Sequence, residues 1–293
     1  MSNAVWAEIV VQDALGNTVH LSKPAKRIVS LAPHNTENLF AAGAGDRLVG
    51  ATLFSDYPPE AKKVPRIGGY TGLDMEAIIA LQPDLILAWD SGNRKQDIEQ
   101  LRSLGFTIFV SEPRKLEHIA DEIESLGRLA GTHPTAHRFA EQFRKQLQQL
   151  HHHQNDAPPV EVFYEVWHQP LMTINGEQLI SQAIMLCGGR NAFANLPTLA
   201  ATVTLEAVLA ANPEAIITSA RSPTQNKQWQ QRWRRWPQLQ AVALNNLYSV
   251  PADLLQRQGP RILEGIKYLC NAIDNARERR SAQPKPEQSK PKS

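Results

Sequence analysis

Residues 76–87 read EAIIALQPDLIL, and residues 206–217 read EAVLAANPEAII. Five of the twelve positions are identical, and most of the others are conservative exchanges such as Ile/Val, Gln/Asn and Asp/Glu. Each copy parses the same way. A short helix opens near the glutamate, stops before Pro83 or Pro213, and gives way to a buried strand. Proline ends the helix because the residue before it is pushed out of the helical region. The apolar runs Leu85–Trp89 and Ala215–Thr218 suit strands of a buried parallel sheet. The echo predicts two similar α/β lobes in one chain.

Working outward, the first lobe has strands at Arg27–Leu31, Leu48–Thr52, Leu85–Trp89 and Thr107–Val110. Helices are expected at Asn35–Ala42 and Arg94–Leu104, closed by Gly43 and Gly105. Alternating strands and helices imply a parallel sheet with right-handed crossovers. A helical stretch then runs from Lys115 to His153, broken at Gly131–Pro134, where Thr132 is placed to cap the second segment. That segment, Thr135–His153, spans about 28 Å, long enough to cross between lobes. The second lobe restarts with a strand at Val160–Tyr164. It continues through a helix at 178–187, the repeated unit, a Trp-rich helix at 226–236, a strand at Leu247–Val250 and a final helix at 260–276. The expected division is 1–115 for the N-terminal lobe, 116–153 for a helical connector, 154–276 for the C-terminal lobe and 277–293 for a disordered tail. The tail reads Pro-, Lys- and Gln-rich, without apolar periodicity.

Composition narrows the function. The chain has 293 residues, 42% hydrophobic and 20% charged, an ordinary globular balance. Its 31 basic residues face 29 acidic ones, a net +2, which disfavours nucleic acid as a partner. No run of apolar residues is long enough for a membrane span. There is no GxxxxGK[ST], HExxH or GxSxG, so no phosphate loop, zinc cage or serine nucleophile shows itself. The two cysteines, Cys187 and Cys270, form no CxxC and no zinc-type cluster, so no metal site is expected.

Four aromatic residues lie at expected loops beside Gly, Pro or Asn: Tyr57 in SDYPP, Tyr70 in GGYTG, Trp89 in AWDSGN and Trp167 in EVWHQP. Ligands of α/β folds bind at the carboxyl ends of the strands. Flat apolar surface there suits a large, flat or macrocyclic ligand. His34 and His168 lie near the same ends, as axial metal ligands or hydrogen-bond donors. The run His151–His153 reads as a solvated helix terminus. Trp229, Trp233 and Trp236 with Arg234 and Arg235 read as a helix packing its indoles on the sheet, arginines outward.

The stretches RIVSLAPHNTENLFAAGAGDRLVG, SDYPPEAKKVPRIGGY, the paired Glu-to-Pro units, EVWHQPLMT, LCGGRNAF and VPADLLQRQGPRILEG together resemble the periplasmic substrate-binding proteins of ABC importers. The matching class handles cobalamin, siderophores and haem, and the resemblance is to its cobalamin (vitamin B12) type, from about Asp13 to Ile273. It implies two Rossmann-like lobes with parallel sheets joined by one long backbone helix, and a ligand held between them. It also implies a non-enzymatic, monomeric carrier without a cofactor of its own, whose ligand is cobalamin and whose partner is an ABC permease dimer. Carried over residue by residue, the ligand contacts are Tyr57, Tyr70, Trp89 and Trp167. Pro33 and His34 line the first strand-to-helix turn, and Asp253 and Arg257 make polar contacts to ligand amides. Glu76 and Glu206 fall on the family's permease-docking glutamates. Between Phe193 and Thr202 a relative carries an aromatic that ANLPTLAA lacks. The implied location is the periplasm. Met1–Ala4 reads as an expression remnant whose upstream leader is missing, and an exported protein would join Cys187 to Cys270. A haem carrier ligating iron through Tyr57 or a cleft histidine, a ferric-siderophore carrier, and an α/β enzyme with an unrecognised site are the alternatives.

Overall fold

Both copies of the repeat form a short capped helix followed by a central strand. The helix Met75–Ala80 begins behind Asp74, whose carboxylate accepts from the Ala77 amide at 3.0 Å. The helix Leu205–Ala211 begins behind Thr204, whose hydroxyl accepts from the Ala207 amide at 3.2 Å. These caps satisfy amides that the first turn leaves unpaired. Each helix buries one residue, Ile78 or Val208. Each ends in a left-handed residue before the proline, Gln82 at φ 45° and Asn212 at φ 42°. The next amide then joins the neighbouring strand, Asp84 N to Arg27 O and Glu214 N to Glu161 O, both at 2.9 Å.

The computed structural model describes residues 8–69, 71–151 and 158–282. The chain divides into two compact units, Met1–Gln149 with Arg257–Leu263, and Leu150–Gln256 with Glu264–Ser293. The first holds a parallel sheet in the spatial order Leu48–Ala51, Ile28–Ser30, Leu85–Trp89, Ile108–Ser111. The second holds a parallel sheet in the order Gly189–Asn191, Val160–Glu165, Ala215–Ala220, Leu247–Pro251. In both, the second strand in sequence lies outside the first, and the repeat supplies the third. The expected fold class, α/β with two parallel-sheet lobes, is therefore the one observed. One core gathers Val29, Ile67, Ile78, Ile86 and Leu101. The other gathers Phe163, Val208, Ile216, Trp229 and Trp233.

Several local expectations are corrected. The strand Gly189–Asn191 was not anticipated, because Gly-Arg-Asn has no strand propensity of its own and is recruited by pairing with Val160–Val162. The long helix runs His133–His151, and Thr132 directly precedes it, its backbone carbonyl accepting from the Ala136 amide at 3.2 Å. The Thr132 hydroxyl instead donates to the Ala42 carbonyl at 2.6 Å, closing the end of the helix Pro33–Ala41. The residues 116–149, expected as a connector, group with the first unit, as does 257–263. The final helix, Ile262–Ser281, continues past the expected tail boundary. Arg277 donates to the Gly188 carbonyl and Arg280 to Glu214 and the Pro158 carbonyl, which anchors the extra turn. His152, His153, Tyr70 and residues 283–293 lie outside the described residues.

Candidate ligand-binding site

In the first unit, the site is built on the turn after the strand Ile28–Ser30. Pro33 opens the helix Pro33–Ala41, where its fixed φ suits the first turn. Five successive polar residues, His34 to Asn38, are all buried. Burial without partners would be costly, and each has one. Asn35 Nδ2 donates to the Ala88 carbonyl at 3.0 Å, and Thr36 Oγ1 to Ser30 Oγ at 2.9 Å. His34 Nε2 lies 3.2 Å from Ser111 Oγ, which donates to Glu122 Oε2 at 2.7 Å. Asn38 Nδ2 reaches the same oxygen at 3.4 Å. Desolvation holds the His34 imidazole down to about 3 and pushes the Glu122 carboxyl up to about 8, despite the Ser111 and Glu112 hydrogen bonds to it.

Trp89 ends the central strand above this network. Its amide donates to Asn93 Oδ1 at 2.7 Å, and Asn93 Nδ2 donates to the Leu31 carbonyl at 2.9 Å, tying the turn to the neighbouring strand's end. The indole lies over Gly92, where a Cβ would come within 1.8 Å of it. His34 meets the indole edge-on, with centroids 5.1 Å apart. His34 itself is 2% exposed, so it supports Trp89 from beneath instead of lining an open surface.

The fifth buried residue, Glu37, is 1% exposed and anchors two arginines. Arg257 Nη1 donates to it at 3.0 Å, and Arg261 donates through Nε and Nη2 at 2.9 and 2.7 Å. Arg257 also pairs with Asp56 at 2.8 Å. Partial burial raises the Asp56 carboxyl, but the hydrogen bond and charge of Arg257 outweigh it and hold the group below its ordinary value. The Arg261 guanidinium carbon sits 3.9 Å above the Tyr57 ring, which is 42% exposed. Two carboxylates and two guanidiniums thus form a neutral platform that fixes Tyr57. Leu53 and Phe54 stand exposed on the same loop. Arg257, expected as a direct ligand contact, is largely committed to this platform.

In the second unit, Trp167 follows the strand Val160–Glu165 and is 61% exposed, its Nε1 donating to the Gln169 carbonyl at 2.9 Å. Glu165 is buried beneath it. Its Oε2 accepts from Trp229 Nε1 at 2.9 Å and Trp233 Nε1 at 2.6 Å. The Trp-rich helix, Pro223–Trp233, therefore packs Trp229 and Trp233 inward, with Arg234 and Arg235 exposed, as expected from the sequence. Beside Trp167 a cavity of about 370 Å³ is lined by His168, Gln225, Gln228 and Arg232. Asp253 is exposed on the helix Ala252–Leu255. Glu76 and Glu206 are exposed in the first turns of the two repeat helices. Cys187 and Cys270 are joined in a disulfide.

Residues 28–254 match the periplasmic binding protein family. The chain belongs to that family. It is 37% identical over 251 residues to the vitamin B12-binding protein of Vibrio cholerae (strain O395), covering 85% of this chain and 90% of the relative. It is 36% identical over 249 residues to the vitamin B12-binding protein of Photorhabdus laumondii, covering 85% and 88%. The crystal structure of the periplasmic vitamin B12 binding protein BtuF of V. cholerae superimposes with a TM-score of 0.81 at 36% identity, over 87% of this chain and 99% of that one. The family match takes in both parallel sheets and both repeat copies. Among the site's components, sequence reading missed Glu37, Asp56, Arg261, Glu165 and Arg232. The run HNTEN on one helix and the Arg257/Arg261 spacing were the available signals, since a polar run in a helix beside a core strand must find partners.

Proposed function

We propose that the chain is a periplasmic carrier that captures a cobalamin-type corrinoid and hands it to the permease of an ABC importer without altering it chemically. The observation carrying this reading is the identity of 37% over 85% of the chain to a protein named for vitamin B12 binding. The site supports it. Tyr57 and Trp89 in one unit and Trp167 in the other offer flat rings at strand carboxyl ends. Each is held by its own second layer: the arginine platform, the His34 edge with Gly92, and the Trp167 contact to Gln169. Rigid rings bind a rigid macrocycle with little ordering cost. Tyr70 and Pro33 belong to the same reading, His34 acts through Trp89, and Asp253 and Arg257 offer polar groups to the ligand's amides. Glu76 and Glu206 are the carboxylates that meet the permease, where charge sets register and on-rate. The carrier works as a monomer with no cofactor.

Purified protein titrated with cyanocobalamin, haemin and ferric siderophores, followed by calorimetry and visible absorption, tests this. Saturable one-to-one binding of cyanocobalamin, tighter than the others, is expected. Preferential haemin or siderophore binding would replace the ligand, and turnover of any of them would replace the carrier class.

A further inference from the structure

Glu165 and His168 form a pair that the aromatic contacts leave unused. Glu165 Oε2 is fully engaged by two indole N–H groups, which fix the buried carboxylate in place. Its other oxygen, Oε1, lies 3.4 Å from His168 Nδ1. That nitrogen is buried with no hydrogen-bond partner of adequate geometry, while the His168 side chain as a whole is 39% exposed. The exposed part is therefore the opposite edge of the ring, which carries Nε2. The ring lines the 370 Å³ cavity next to Trp167, and a second cavity of about 320 Å³ that shares Gln169 and Arg232 with it. A small rotation would let Nδ1–H donate to Glu165 Oε1 and leave the Nε2 lone pair facing outward. Carboxylate behind, imidazole between and open space in front is how proteins prepare a histidine for a metal ion.

We infer that His168 is an axial ligand for the metal centre of a bound corrinoid, with Glu165 as its positioning residue. The inference rests on the carrier reading above and adds a selectivity to it. The metal belongs to the cargo. When the cargo arrives with water on cobalt(III), the Nε2 lone pair forms the Co–N bond, the Co–O bond breaks and water leaves. No electron is transferred, and the Nδ1 proton stays on the ring, directed at Glu165 Oε1. A corrinoid whose axial position holds cyanide exchanges poorly and is held by ring contacts alone. The carrier would thus favour aquocobalamin over cyanocobalamin.

The test titrates the full chain with aquocobalamin and, in parallel, with cyanocobalamin. Binding of aquocobalamin is expected to shift its visible bands to those of an imidazole-substituted cobalamin, while cyanocobalamin binds with an unchanged spectrum. His168→Ala is expected to abolish the shift and weaken aquocobalamin by about tenfold or more. Its cyanocobalamin affinity should stay within about twofold, which also reports that the variant is folded. Glu165→Gln keeps the indole contacts and is expected to weaken aquocobalamin selectively, by about tenfold. Stoichiometric aquocobalamin binding without a shift, or a shift that survives in His168→Ala, would overturn the inference and leave the carrier reading intact. Failure of both cobalamins to bind would overturn the carrier reading and this inference with it.

Discussion

Removal of Glu37 is costly, because it neutralises two guanidiniums that are themselves mostly buried. Glu37→Gln leaves both short of a charge, and a loss of about 3 kcal/mol in urea unfolding is expected. A loss below about 0.5 kcal/mol would mean the platform holds without it. Gly92 carries a steric prediction. An added methyl would displace the Trp89 indole, so Gly92→Ala should weaken cyanocobalamin by about tenfold with little loss of stability. Unchanged affinity would remove Trp89 from the ligand surface. The His34–Ser111–Glu122 chain predicts pH dependence with two opposite signs. Glu122 sits at about 8 when folded against an ordinary 4.5, so the unfolded chain ionises first and stability falls as pH rises through that interval. His34 sits at about 3 against 6.5, so stability falls as pH drops from 6.5 towards 3. Glu122→Gln removes only the first effect. The variant should lose less stability than the parent between about pH 5 and 8, and equal losses would contradict the assignment.

At the scale of elements, the repeat made the fold legible. Capped helix, proline stop and apolar run recur in both units down to the left-handed residue before the proline. The strands rich in Ile, Leu and Val were readable for the same reason, since continuous apolar runs are what a sheet covered on both faces requires. The edge strand Gly189–Asn191 was not, because it exists through its partner and not through its own residues. Nor was the Arg257–Leu263 segment's attachment to the first unit, which depends on Glu37, some 220 residues earlier in the chain. The rings of the proposed site are singled out in the sequence by their flanking glycines and prolines, whereas the groups that hold Tyr57 and Trp89 are set by tertiary pairing. The disulfide between the helix end at Cys187 and the helix Ile262–Ser281 closes a loop of 83 residues. In the chain-entropy relation this contributes about 4–5 kcal/mol. Replacing both cysteines by alanine should lower the urea midpoint accordingly, and an unchanged midpoint would show the loop to be ordered without it.

For the whole molecule, the proposed carrier role assigns ligand capture and delivery to different surfaces. Glu76 and Glu206 lie in first turns of the repeat helices, whereas the rings lie at carboxyl ends of strands. The double variant Glu76→Ala with Glu206→Ala should therefore bind cyanocobalamin within about twofold of the parent while uptake through the importer drops by about tenfold or more. Unaltered uptake would remove these carboxylates from docking. Carriage itself is tested most directly by loading the purified chain with cyanocobalamin, removing excess by dialysis, then unfolding the complex and identifying what is released. One intact cyanocobalamin per chain is the expected result. An empty chain after dialysis against ligand-free buffer at micromolar protein, or a chemically altered corrin, would contradict it.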